Sequence, residues 1–107
     1  MTSLNVSPPE AKNALAAHVA GGKELVLAAA MVGDPDDFDV WTERCRRWTA
    51  RIGSSLEAIY GEEASTVFQH STAAAKHTPR WQDALAAEVE RAQHVIEMLI
   101  SLSDGVR

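Results

Sequence analysis

The chain of 107 residues has a single cysteine, four prolines, six glycines and few aromatics, and each scarcity narrows what it can be. The lone thiol, Cys45, excludes an internal disulfide, which suits a reducing cytoplasm and a fold held by its own core. No apolar run approaches the ~18–20 residues of a membrane span. The stretch Met1–Pro9 lacks a basic region followed by an apolar one, so no cleaved signal is expected. Period-two alternation of the kind that marks strands is missing, and so are internal repeats. The net charge of −5 disfavours general affinity for nucleic acid or anionic lipid. These absences leave one soluble, cytoplasmic domain spanning residues 1–107, able to bury roughly two-thirds of its unfolded surface.

What is present reads as helix throughout. From Asp34 to Gly61, Phe38, Trp41, Cys45, Trp48, Ile52, Leu56 and Ile59 recur at steps of three and four, the period of a helix burying one stripe. Asp34 caps this helix, Pro35 suits its first turn and Gly61 follows the last apolar residue as a C′ glycine. Before it, Ser7-Pro8-Pro9-Glu10 has the form of a capping box. The helix it opens is expected to reach about Val32, with Ala11, Leu15, His18 or Val19, Gly22, Leu25 or Val26, and Ala29 as its stripe. Gly21-Gly22 interrupts that helix at about 1 kcal/mol per glycine; it marks either a kink or a close crossing by another helix. A short helix is expected over Glu62–His70, then a small-residue connection, Ser71–His77. Thr78-Pro79 opens a last long helix to about Leu102, with Trp81, Leu85, Val89, Ala92, Ile96, Leu99 and Ile100 on its apolar side. Residues 1–6 read as a loose arm and 103–107 as a frayed tail. The expected fold is all-α: an antiparallel helical bundle of three long helices plus one short helix.

Recognisable reaction chemistry is lacking. His18, His70, His77 and His94 fall in no metal-ligand frame, and Cys45 has no second thiol, so neither a metal nor another cofactor is expected. Only His18 lies on an apolar stripe, where burial should keep it neutral and depress its pKa. No serine occupies a nucleophile elbow, and no glycine-rich loop follows a strand. Asp34, Asp36, Asp37 and Asp39 crowd a helix N-terminus, where they complement the macrodipole. An enzyme is therefore not expected.

Two features suggest binding. Arg44, Arg47 and Arg51, at i, i+3 and i+7, line one edge of the tryptophan helix with Trp41 and Trp48 just around the cylinder. That combination suits an anion or a nucleotide, unless the arginines are a solvated flank paired with Glu43, Glu57 or neighbouring carboxylates. The second feature is Leu25-Val26-Leu27-Ala28-Ala29-Ala30-Met31-Val32, apolar all the way round. Either this helix is central to the domain or a second chain covers Leu27, Met31 and Val32.

The stretches Ala20-Gly21-Gly22-Lys23-Glu24-Leu25, Asp37-Phe38-Asp39-Val40-Trp41 and Leu56-Glu57-Ala58-Ile59-Tyr60-Gly61-Glu62-Glu63-Ala64-Ser65, followed by Phe68, cover about half the chain. In their order this chain resembles small helical modules of bacterial, often actinobacterial, candidate defence proteins, which stand beside TIR-like or other effector domains. The chain departs from that context in having no room for an effector domain. The resemblance implies an interaction or oligomerisation module and transfers no catalytic residue. The expectation is thus a non-enzymatic protein–protein interaction module. Its expected partners are a second copy in a homodimer and a protein of unknown identity, with no membrane or nucleic acid. A small anion-binding regulatory protein is the alternative.

Overall fold

Ser7 and Asp34 set the first two helix starts as their side chains predict. The Ser7 hydroxyl accepts from the Glu10 amide at 3.4 Å and the Asp34 carboxylate from the Asp37 amide at 2.8 Å, each satisfying an otherwise orphaned donor. The computed structural model describes residues 4–71 and 80–106. It comprises α1 (Pro8–Ala29), α2 (Pro35–Tyr60), α3 (Glu62–Ser71) and α4 (Trp81–Gly105). All described secondary structure is helical, and no helix among these residues is long and apolar enough to cross a membrane.

Helix α1 stops three residues short of the expected Val32. Ala30, Met31 and Val32 instead donate to carbonyls three residues back, tightening the last turn, because Asp34 must be extended to cap α2 ahead of Pro35. At the other end of α2, Gly61 adopts φ +106° and ψ 171°, a region essentially closed to other residues. The chain thereby reverses into α3, which folds back so that Ser65 and Gln69 approach Gly53 of α2.

Helix α1 runs antiparallel to both α2 and α4. Trp41 reaches back to Leu25 and Trp48 to His18, and Gly22 meets Ile96 of α4. Helices α2 and α4 run the same way, with Phe38 and Trp81 near their starts 6.3 Å apart. This is possible because α3 folds back along α2. The expected opening of α4 at Thr78-Pro79 lies outside the described residues.

The core holds Ala11, Leu15, Leu25 and Ala29 of α1 and the stripe from Trp41 to Ile59 of α2. Phe68 of α3 joins them, with Ala92, Val95, Ile96 and Leu99 of α4. Three expectations need correction. The arm is docked over residues 4–6: Leu4 and Val6 pack on the core, and the Asn5 amide donates to the Ile59 carbonyl at 2.7 Å. The tail is helical to Gly105, and Val106 is buried. On α4, Ile100 is exposed while Val95 is buried, because the helix is wedged between α1 and α2 and buries the face turned toward Cys45 and Trp48.

The Gly21-Gly22 pair is a close crossing rather than a break, since α1 is continuous through it. A Cβ on Gly22 would lie 2.5 Å from Trp48 Cζ2 and 2.8 Å from Ile96 Cγ1. Only glycine lets the indole come this close to the α1 backbone.

Candidate functional site

The arginine edge of α2 is positioned by helical spacing alone, and the structure separates it from the tryptophans. Trp41 and Trp48 are 2 % and 3 % exposed. Their indole nitrogens donate to the α1 carbonyls of Leu25 and His18 at 2.8 and 2.9 Å. Those hydrogen bonds fix both rings inward, so neither offers a face beside Arg44, Arg47 and Arg51. This corrects the expectation of a mixed arginine–indole surface. Arg47 pairs with Glu43 at 3.4 Å, and Arg46 with the same carboxylate at 2.9 Å. Glu57 takes no part in an ion pair, and Arg44 and Arg51 meet no carboxylate within ion-pair distance among the described residues. The edge is a row of exposed arginines, one of them paired with Glu43, with no aromatic partner among the described residues.

His18 is half-buried, with Nε2 2.7 Å from the Ser55 hydroxyl. Burial, and then the Arg51 guanidinium, hold its pKa below the ordinary value. Helical spacing marked His18 as unusual but not its partner, because Ser55 is 37 residues away and on no apolar stripe. A neutral imidazole beside a hydroxyl resembles half of a nucleophilic pair, yet no carboxylate among the described residues orients the ring, and the Trp48 bond to the His18 carbonyl marks this as a packing junction. His94 is exposed, 3.9 Å from Glu90. His77 and the side chain of His70 lie outside the description. No group of three potential metal ligands occurs among the described residues. Cys45 is buried beside the Glu88–Arg91 ion pair, and burial pushes its thiol up to about 11, leaving it protonated and unreactive.

The outward face of α1 is different in kind. Leu27 is 74 % exposed and Met31 83 %, the two most exposed large apolar side chains described. Val32 is half-buried and packs on the core, so it belongs to the domain's interior rather than to this surface. Two and three turns back from Leu27 along the same face lie Ala20 and Ala16, also exposed. Lys23 and Glu24 stand on either side of the stripe. Between α1 and α4 run two open grooves. One, of about 550 Å³, is bordered by Lys23, Val26, Leu27, Ile96 and Glu97. The other, of about 310 Å³, has Ala16, Val19, Ala20 and Ile100 on its apolar side and Lys23, Ser103 and Asp104 on its polar side. The exposed Ile100 thus extends the apolar face of α1 onto α4, a continuity invisible in sequence because 80 residues separate it from Ala20.

No protein-family model, curated protein or solved structure matches this chain.

Proposed function

We propose that this protein is a non-enzymatic helical interaction module that self-associates through the outward face of α1. The observation that carries the reading is the exposure of Leu27 and Met31 on a helix whose opposite face is fully built into the core. A surface helix of a monomer keeps polar residues on its solvent side, and apolar side chains grouped there mark a contact surface. A two-fold homodimer is the simplest closed assembly that covers such a face. The likeness of its helix punctuation to modules of bacterial candidate defence proteins points to the same class, and a cytoplasmic location belongs to the same proposal, supported by the single buried thiol.

Sedimentation equilibrium over low to high micromolar protein tests the reading. The expected result is a concentration-dependent dimer that Leu27→Asp and Met31→Asp each convert to monomer. Both side chains are exposed, so the melting temperature of dilute protein should stay unchanged. A wild-type monomer at high micromolar concentration overturns self-association. The anion alternative now rests on three exposed guanidinium groups alone. A panel of nucleotides that raised the melting temperature, with the gain abolished by Arg47→Glu, would favour it instead.

A further inference from the structure

Two copies of α1 can meet in parallel or antiparallel, and the order of side chains along the exposed stripe distinguishes the two. From the N-terminal end the stripe reads Ala16, Ala20, Leu27, Met31: small, small, large, large. All four are exposed. Building on the self-association proposed above, we infer that the partner is a second copy of this chain docked antiparallel. The two-fold axis then passes beside Lys23 and Glu24, Leu27 of each copy packs on Ala20 of the other, and Met31 packs on Ala16.

Large against small is the arrangement in which facing layers interdigitate. A leucine then covers the apolar floor, Ala16, Val19, Ala20 and Ile100, of the hollow of about 310 Å³, whose polar border is Lys23, Ser103 and Asp104. Both hollows of the dimer are filled at once, because the two-fold operation repeats the contact. In the parallel arrangement Leu27 and Met31 would meet their own counterparts and hold the helices apart, leaving Ala16 and Ala20 facing an unfilled gap. Charge agrees with the antiparallel choice. On the α4 side of the stripe Lys23 and Glu97 border one groove, yet they form no ion pair with each other. The antiparallel operation gathers both lysines and both glutamates around the axis on that side, so each lysine meets the partner's glutamate. The macrodipoles of the two helices also oppose rather than align.

Disulfide trapping of the full chain tests the register. At 1.5 Å rise per residue, Ala20 of one copy lies about 10 Å along the axis from Ala20 of the other, and the same holds for Leu27. That is beyond the Cα separation of about 7 Å that a disulfide tolerates. Ala20→Cys alone and Leu27→Cys alone should therefore stay reduced under mild oxidant, whereas an equimolar mixture should give a covalent Ala20→Cys/Leu27→Cys dimer. The native Cys45 is buried and stays silent. In parallel, Ala20→Leu alone and Leu27→Ala alone should each weaken dimerisation by roughly tenfold or more, and the double exchange should restore it. Ready cross-linking of the single variants would overturn the antiparallel register while leaving self-association standing. A dimer that none of the pairs traps, and that neither single exchange weakens, would show that another face is used. A protein that never dimerises would remove the underlying reading as well.

Discussion

Replacing Gly22 with alanine, beside the same change at Gly21, measures how tightly α1 is pressed onto the tryptophan helix. Both glycines lie mid-helix, where alanine is intrinsically better by about 1 kcal/mol, and propensity alone treats them alike. Their surroundings differ. A methyl at residue 21 would sit 3.5 Å from Trp48 Cδ1, ordinary contact, so Gly21→Ala should stabilise by about 0.5–1 kcal/mol. A methyl at residue 22 would sit 2.5 Å from Trp48 Cζ2, 3.0 Å from its Cη2 and 2.8 Å from Ile96 Cγ1. Carbon atoms in contact settle at about 3.5–4.0 Å, so the ring must retreat by about 1 Å. Its path is blocked, because the indole is tethered to the His18 carbonyl at 2.9 Å and is 3 % exposed. Overpacking of this kind costs about 1–3 kcal/mol. With two rigid neighbours inside 3.0 Å the upper part of that range applies, and the propensity gain offsets about 1 kcal/mol of it. Gly22→Ala should then lose about 1–2 kcal/mol, leaving the two variants about 1.5–3 kcal/mol apart. Urea unfolding followed by tryptophan fluorescence, at one fixed dilute protein concentration, reads this directly. A Gly22→Ala variant as stable as wild type, or two variants that move together, would refute the close crossing.

Three further outcomes follow from the same packing. Trp48→Ala should cost about 3–5 kcal/mol in the same assay, and a loss under about 1 kcal/mol would contradict burial of the ring. His18 has a folded pKa below its unfolded value near 6.5, so the unfolded chain binds the proton more readily. Its contribution is complete above the unfolded value and is lost as pH falls from there toward the folded value. Melting temperature should drop on acidification across that window, and His18→Gln should flatten the drop; a rise, or indifference to the substitution, would contradict the assignment. Cys45, with its thiol pushed up to about 11, should resist iodoacetamide at pH 8 in the folded protein and react in urea, whereas alkylation of the native protein at a free-thiol rate would exclude the buried position.

The sequence by itself determined the helices, their caps and the buried stripes of α1 and α2, because both kinds of signal are local. A cap side chain bonds an amide three residues on, and burial of one helix face repeats every three or four residues. Hence Ser7, Asp34 and Gly61 were readable as boundaries, and Ala11, Leu15, Leu25, Trp41, Cys45, Trp48, Ile52, Leu56 and Ile59 as core. The exposure of Leu27 and Met31 was readable too, from their place opposite the stripe. What only the tertiary structure decided is what lies across each interface. Trp41 and Trp48 are seven residues apart and reach carbonyls seven apart on the antiparallel α1, those of Leu25 and His18. That match sets the register of the two helices and turns the indoles away from the arginines. Gly22 is a hollow for Trp48 only because the ring arrives there, and His18 finds Ser55 only in that register. Val95 is buried and Ile100 exposed because α4 sits between two neighbours rather than against one. Docking of residues 4–6 and Val106 was equally hidden, since single apolar side chains at chain ends carry no period. Periodicity identifies which face of a helix is covered; the identity of the covering residue is a long-range property, created when distant segments are brought into contact.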